Sequence, residues 1–237
     1  MQQADIVALA DAYDANEIDA REVVAGLTEQ QGTWRAHPGS WSVAECLDHL
    51  ATGNRVYLQA MTPAAEQALA QGRLRRGPAR PGLAGGWFVR SLEPPVKPWF
   101  KMKAPKKIKP RQGPALADAS AKFLASQDEV RAFLRQFAGI DLTGVTFPNP
   151  FVTGVRFSLA TGLHVLASHQ RRHLWQASNV REASLEALPF SSRASSQPSS
   201  SRPASSTSSM ASATSRASAA VPPSPDRADR TPRAANR

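Results

Sequence analysis

Between Ser158 and Val180 the chain reads SLATGLHVLASHQRRHLWQASNV, and a heptad seam falls on Leu159, Gly162, Leu166, His169, His173, Gln176 and Val180. The ends of this seam are small or apolar, and its middle is His-His-Gln. Helical geometry sets residues i and i+4 about one turn apart on one face. Both imidazoles therefore occupy positions that core side chains normally fill. A buried polar group without a partner costs about 1–3 kcal/mol, so two neighbours demand compensation. Neutral imidazole is a good ligand for zinc, nickel or iron, and a divalent metal would supply it. The alternative is a hydrogen-bonded or partly exposed pair of histidines.

The rest of the chain supplies helices for this one to pack against. Residues 4–30 carry Ile6, Leu9, Tyr13, Ala20, Val23, Val24 and Leu27 mostly at three- and four-residue steps, which predicts a helix, with Asn16 as a candidate break and Gly32 as the stop. Ser42-Val43-Ala44-Glu45 is a capping-box pattern, so a second helix is expected from Val43 to about Met61. Pro63, tolerated in a first turn, would open a further helical piece ending near Gly72. Leu116 to Ala138 is a third strong helix, with Phe123, Leu124, Val130, Phe133, Leu134 and Phe137 on its apolar face. No β-alternation stands out. Four long amphipathic helices, one pair bridged by a long crossover, fit an all-α four-helix bundle.

Charge divides the chain further. Residues 1–71 hold 3 basic and 10 acidic side chains, whereas residues 72–112 hold 12 basic and 1 acidic. The overall net charge of +10 therefore describes segments, not the whole surface. The basic segment is a long Pro- and Gly-rich connection, with a short helix expected around Trp87–Leu92 and with Trp87, Phe88, Trp99 and Phe100 as residues that pack down. Beyond Phe190 the chain contains 15 Ser and 6 Pro and almost no large apolar residue. Such a stretch cannot bury enough surface to offset chain entropy. The expected organisation is a bundle over residues 1–188 and a disordered tail over 189–237. One cysteine, no apolar run of membrane-spanning length and an acidic N-terminus point to a cytoplasmic, non-membrane protein.

His49 completes the pattern. It lies in the second helix within one broad stripe formed by Cys46, His49, Leu50, Gly53 and Tyr57. An inward His49 facing His169 and His173 would make a three-nitrogen site with an open position for water or substrate, and Gly53 would leave room beside it. The HQRRH sequence argues against a zincin protease, because Gln170 stands where the general-base Glu is required. Nucleophile-elbow, Walker and dinucleotide signatures are absent. His164 lies about 140° from His169 on the helical wheel and falls outside the site. His37 reads as a solvated turn residue, and Cys46 as a small core residue one turn from His49. Gln176 is placed to hold an imidazole or a ligand water. Arg171 and Arg172 point off the seam, and Trp41 and Trp175 read as packing residues.

WSVAECLDHL, KAPKKIKP and SHQRRHLWQASNV, in this order and spacing, resemble the DinB-like superfamily over about residues 5–182. The resemblance implies an antiparallel four-helix bundle holding one divalent metal through His49, His169 and His173. It also implies a metal-dependent hydrolase or a thiol-dependent transferase acting on a small molecule, with a low-molecular-weight thiol as cosubstrate. Relatives commonly carry Glu where this chain has Gln170. A non-catalytic metal-binding or interaction protein of the same fold is the second reading. Nucleic-acid binding, prompted by KMKAPKKIKPR, is the weakest, because the run lacks interleaved stacking aromatics. Bundles of this kind often form homodimers, but no interface is located by the sequence.

Overall fold

A computed structural model describes residues 4–95 and 105–189. The expected tail, together with Trp99 and Phe100, lies outside the described residues. Six α-helices carry the fold: α1 (Ala4–Val24), α2 (Glu29–Thr33), α3 (Val43–Ala70), α4 (Leu83–Leu92), α5 (Leu116–Phe137) and α6 (Leu159–Ala187). A 3₁₀ turn spans Lys106–Ile108, and two short strands, β1 (Thr146–Pro148) and β2 (Arg156–Ser158), precede α6.

The capping box forms as its sequence dictates. Ser42 Oγ accepts from the Glu45 N–H at 3.2 Å, and the Glu45 carboxylate accepts from the Ser42 N–H at 3.0 Å. That carboxylate also pairs with both arms of Arg35. The start of α3 is thereby held in one orientation, and α3 carries His49.

Four local expectations need correction. Helix α1 ends at Val24, not at Gly32; Gly26 takes a φ of 72° there, a left-handed turn that suits a residue without Cβ. Thr28 then caps the separate short helix α2, which contains Gly32. Asn16 breaks nothing. It is buried within α1 because its amide bonds across to α6 instead of to its own backbone. Pro63 does not start a new helix either: α3 is continuous through it. Pro63 sits on an exposed side of α3, where the carbonyl deprived of a donor can meet water. Burial of Ala65 and Ala68 beyond it keeps the helix going. The segment read as a plain linker also holds an antiparallel hairpin, with Thr146 paired to Ser158 and Phe147 to Phe157. Its sequence signal is only three residues per strand, and burial of Phe147 stabilises it.

In the bundle, α3 lies between α5 and α6, and α1 lies against the other sides of α5 and α6. Helices α3 and α6 run antiparallel: Met61 meets the start of α6 at Gly162, and His49 meets its middle. A Cβ on Gly162 would fall 2.7 Å from the Met61 sulfur, so glycine permits this close approach. Helix α1 is antiparallel to α5: Gln127 bonds to Tyr13 of α1, and Leu116 at the start of α5 bonds to Glu29 of α2, which follows the end of α1. Helix α5 runs in the same direction as α3, as Asp48–Lys122, Asn54–Ser126 and Arg55–Glu129 show. Parallel neighbours need a connection that returns along the bundle, which is why the crossover between α3 and α5 is long. Within that crossover α4 packs on α6, seating Phe88 against Phe157.

The core consists of two apolar clusters. One gathers Tyr13, Met61, Phe133, Phe137, Phe147 and Leu163, and the other Val23, Leu47, Leu50, Phe123 and Leu174. The buried polar residues Asn16, Asn54, Ser126, Gln127 and Gln170 belong to neither cluster. No helix among the described residues is long and apolar enough to cross a membrane.

Candidate metal centre

Helices α3 and α6 bring His49, His169 and His173 together. Their ring centroids are 4.9 Å (His49–His169), 4.5 Å (His49–His173) and 4.7 Å (His169–His173) apart. One nitrogen from each ring lies within 4.8 Å of the other two, a spacing that could hold a metal ion. His49 is 1% exposed, and the other two are partly buried.

The outer nitrogens decide which atoms face inward. Nδ1–H of His49 donates to the Ile108 carbonyl at 2.5 Å, and Nδ1–H of His173 donates to Oε1 of Gln176 at 3.0 Å. Each bond places the proton on Nδ1 and leaves Nε2 bare, the arrangement in which a ligating histidine is oriented by an outer partner. Nε2 of His49 then faces Nε2 of His169 at 3.0 Å. The bare Nε2 of His49 can accept a proton from His169 or share a cation with it at that separation. Nitrogens about 2.0–2.1 Å from zinc at tetrahedral angles sit about 3.3 Å apart, close to the observed separation.

Electrostatics keep the rings neutral. Burial lowers the His49 pKa below the ordinary 6.5, against the opposing pull of the Ile108 bond and of Asp48. Burial, followed by His173, His49 and Arg172, holds His169 well below that value. Burial and His49 bring His173 down to about 3, although its bond to Gln176 works the other way. Neutral imidazole is the ligating form, so the donor set, the tautomers of His49 and His173 and the charge state fit a divalent cation.

The surroundings are equally specific. The Trp41 indole lies 4.7 Å from the His49 ring and 5.5 Å from that of His173, so it covers the site as well as packing before α3. Gly53 adjoins His169, yet an added Cβ would sit 3.5 Å from that ring in ordinary contact. The expected need for space there is therefore slight. Cys46 is fully buried among apolar side chains and contributes no atom to the group; burial pushes its thiol pKa up. His37 is exposed in a turn with Ser40. His164 bonds instead to the Ala79 carbonyl at 3.1 Å. Arg171 is held by Glu93, and Trp175 is 41% exposed, not packed.

Two features escape sequence reasoning. The Ile108 carbonyl is a backbone atom in a Lys- and Pro-rich run. The one available hint is a single buried apolar residue, Ile108, among lysines. The run is fastened there by Arg111, whose N–H and Nε both donate to Asp48, the residue before His49. The second feature is Gln170. It turns away from the histidines, donating to Asn54 and Gln127 at 2.9 Å each and accepting from Asn16 at 2.9 Å. Both oxygens facing its Nε2 are acceptors, so an amide fits this place.

Neither a curated protein nor a solved structure matches the chain. The family model of the DinB superfamily matches residues 12–177, a span that runs from α1 through both histidine-bearing helices. On that match, and with a bundle whose two central helices converge three imidazoles, the chain belongs to the DinB superfamily.

Proposed function

We propose that His49, His169 and His173 are the protein ligands of one divalent cation and that the chain is a metal-dependent enzyme, a hydrolase or a thiol-dependent transferase acting on a small molecule. The observation that carries this reading is the convergence of three buried or half-buried imidazoles, with one nitrogen of each within 4.8 Å of the others and with His49 and His173 oriented by outer hydrogen bonds. Such a cation supplies Lewis acidity, which lowers the pKa of a water or thiol that reaches it and yields a nucleophile near neutral pH. The chain's own residues do the positioning. Ile108 and Gln176 set the tautomers and aim of His49 and His173, while Trp41 shields two of the rings. Burial keeps all three unprotonated at neutral pH.

The test is elemental analysis of the full chain purified without a His-tag. Near-stoichiometric zinc, nickel or iron, lost in His173→Ala, supports the reading. Wild-type protein that takes up none of these ions after incubation refutes it. Turnover is then sought with low-molecular-weight thiols and electrophiles such as monochlorobimane or maleylpyruvate.

A second reading has its own support. The cluster contains imidazoles alone, with no carboxylate among its members, and Gln170 faces elsewhere. A site without an attached acid or base suits a metal-binding or interaction protein without turnover. Stoichiometric metal combined with no metal-dependent activity across that panel would favour it.

A further inference from the structure

A groove of about 880 Å³ opens on the side of α6 opposite the histidine cluster. His164, Ala167 and Arg171 form its α6 wall, the start of α1 its floor, and residues 76–80 its rim. At about 100° per residue, these α6 positions lie roughly half a turn around the helix from His169 and His173. The groove is therefore independent of the proposed metal centre.

Its walls differ in character. Ala8, Leu9 and Ala12 give an apolar floor, while Arg76, Arg80 and Arg171 are the arginines that line it. Asp5 is the sole acidic residue lining it, and its carboxylate is already taken by Arg75 and the Ala79 N–H. Glu93 neutralises Arg171. Arg76 and Arg80 are exposed and form no ion pair among the described residues. The rim is braced from two directions: Asp5 of α1 holds Arg75 and Ala79, and Nε2–H of His164 donates to the Ala79 carbonyl. A braced, half-open groove with an apolar base and two uncommitted guanidiniums suits a ligand with one apolar side and one anionic end. Guanidinium forks match carboxylates in two-pronged geometry.

We propose that this groove binds an amphipathic carboxylate, its acid group on Arg76 and Arg80 and its apolar body along the α1 floor. Calorimetric titration of the full chain with sodium dodecanoate, below its micelle concentration, tests this. One saturable site is expected. The Arg76→Gln/Arg80→Gln double variant should weaken binding by about 10- to 100-fold. Ala8→Trp places an indole from an exposed position into the floor and should abolish it. His173→Ala should leave it unchanged, which separates this outcome from the fate of the metal proposal. Unaltered thermal unfolding of the groove variants shows that they fold. Absence of saturable binding overturns the proposal, as does dodecanol binding as tightly as dodecanoate, or equal affinity in wild type and both groove variants.

Discussion

Two neighbouring groups of buried polar side chains, both centred on the same two turns of α6, solve the same problem differently. Around Gln170 the amides close on one another. Gln170 meets Asn16, Asn54 and Gln127, Asn54 reaches Ser126, and Gln127 reaches the Tyr13 carbonyl. Donors face acceptors except at the buried Oδ1 of Asn16, which has no partner among the described residues, and the network ties α1, α3, α5 and α6 together. Around His169 the geometry does not close. The outer nitrogens of His49 and His173 are satisfied, and the inner nitrogens confront one another. A buried network whose amides pair with one another fastens a fold, whereas converging ring nitrogens form a group that a proton or a cation can bridge. The contrast sets a hydrogen-bonded amide network and a candidate metal site within a few residues of one helix.

The largest effect should come from removing a converging nitrogen. His49→Ala or His173→Ala is expected to lower metal affinity by more than about 1,000-fold, read by elemental analysis and by loss of a metal-induced rise in Tm. In wild type that rise corresponds to about 2.7 kcal/mol at a free metal concentration of 100 Kd. If the variants respond like wild type, the cluster is no different from the amide network beside it.

Gln170→Glu should follow. It sets a buried carboxylate against the oxygens of Asn54 and Gln127 and costs about 3–5 kcal/mol at neutral pH, the scale of an uncompensated buried charge. Burial would raise the carboxyl pKa above its unfolded value. The variant should therefore be closest to wild type below about pH 4 and lose relative stability as pH rises. Denaturant midpoints at several pH values check this, and Gln170→Leu, which leaves amides unpaired but adds no charge, should lack the pH dependence.

Gln176→Ala frees the His173 ring to turn and should weaken metal binding about 10- to 100-fold while sparing the fold. Acid should act on the metal-free protein in the direction set by the depressed histidine pKa values. The unfolded chain takes up protons near pH 6.5 and the folded rings only well below it, His173 at about 3. Stability is thus full above about 6.5 and declines as pH falls through that window, with the decline reduced in His173→Ala. Smallest of all, Gly53→Ala should change metal affinity less than about threefold, since the added methyl makes ordinary contact with His169.

Much of this arrangement was legible along the chain wherever local periodicity governs it. The Ser42–Glu45 box, the α5 apolar face and the shared face of His169 and His173 follow from turns of helix. Asn16 and Pro63 misled for one common reason. Their local propensities disfavour a helix interior, but cross-helix hydrogen bonds at Asn16 and burial of Ala65 and Ala68 beyond Pro63 outweigh a cost of about 1–3 kcal/mol. The β1–β2 hairpin was illegible because three-residue strands carry too few alternations to register.

Residue order alone settled which side chains could meet on each helix, because a helix repeats every 3.6 residues whatever surrounds it. It settled the two inward histidines of α6, the capped start of α3 and the DinB resemblance. Packing of distant segments settled the partners: 120 residues separate His49 from His169, and 59 separate His49 from the carbonyl that orients it. Gln170 turns toward amides and not toward imidazoles because four helices meet there, and no spacing within one helix encodes that meeting.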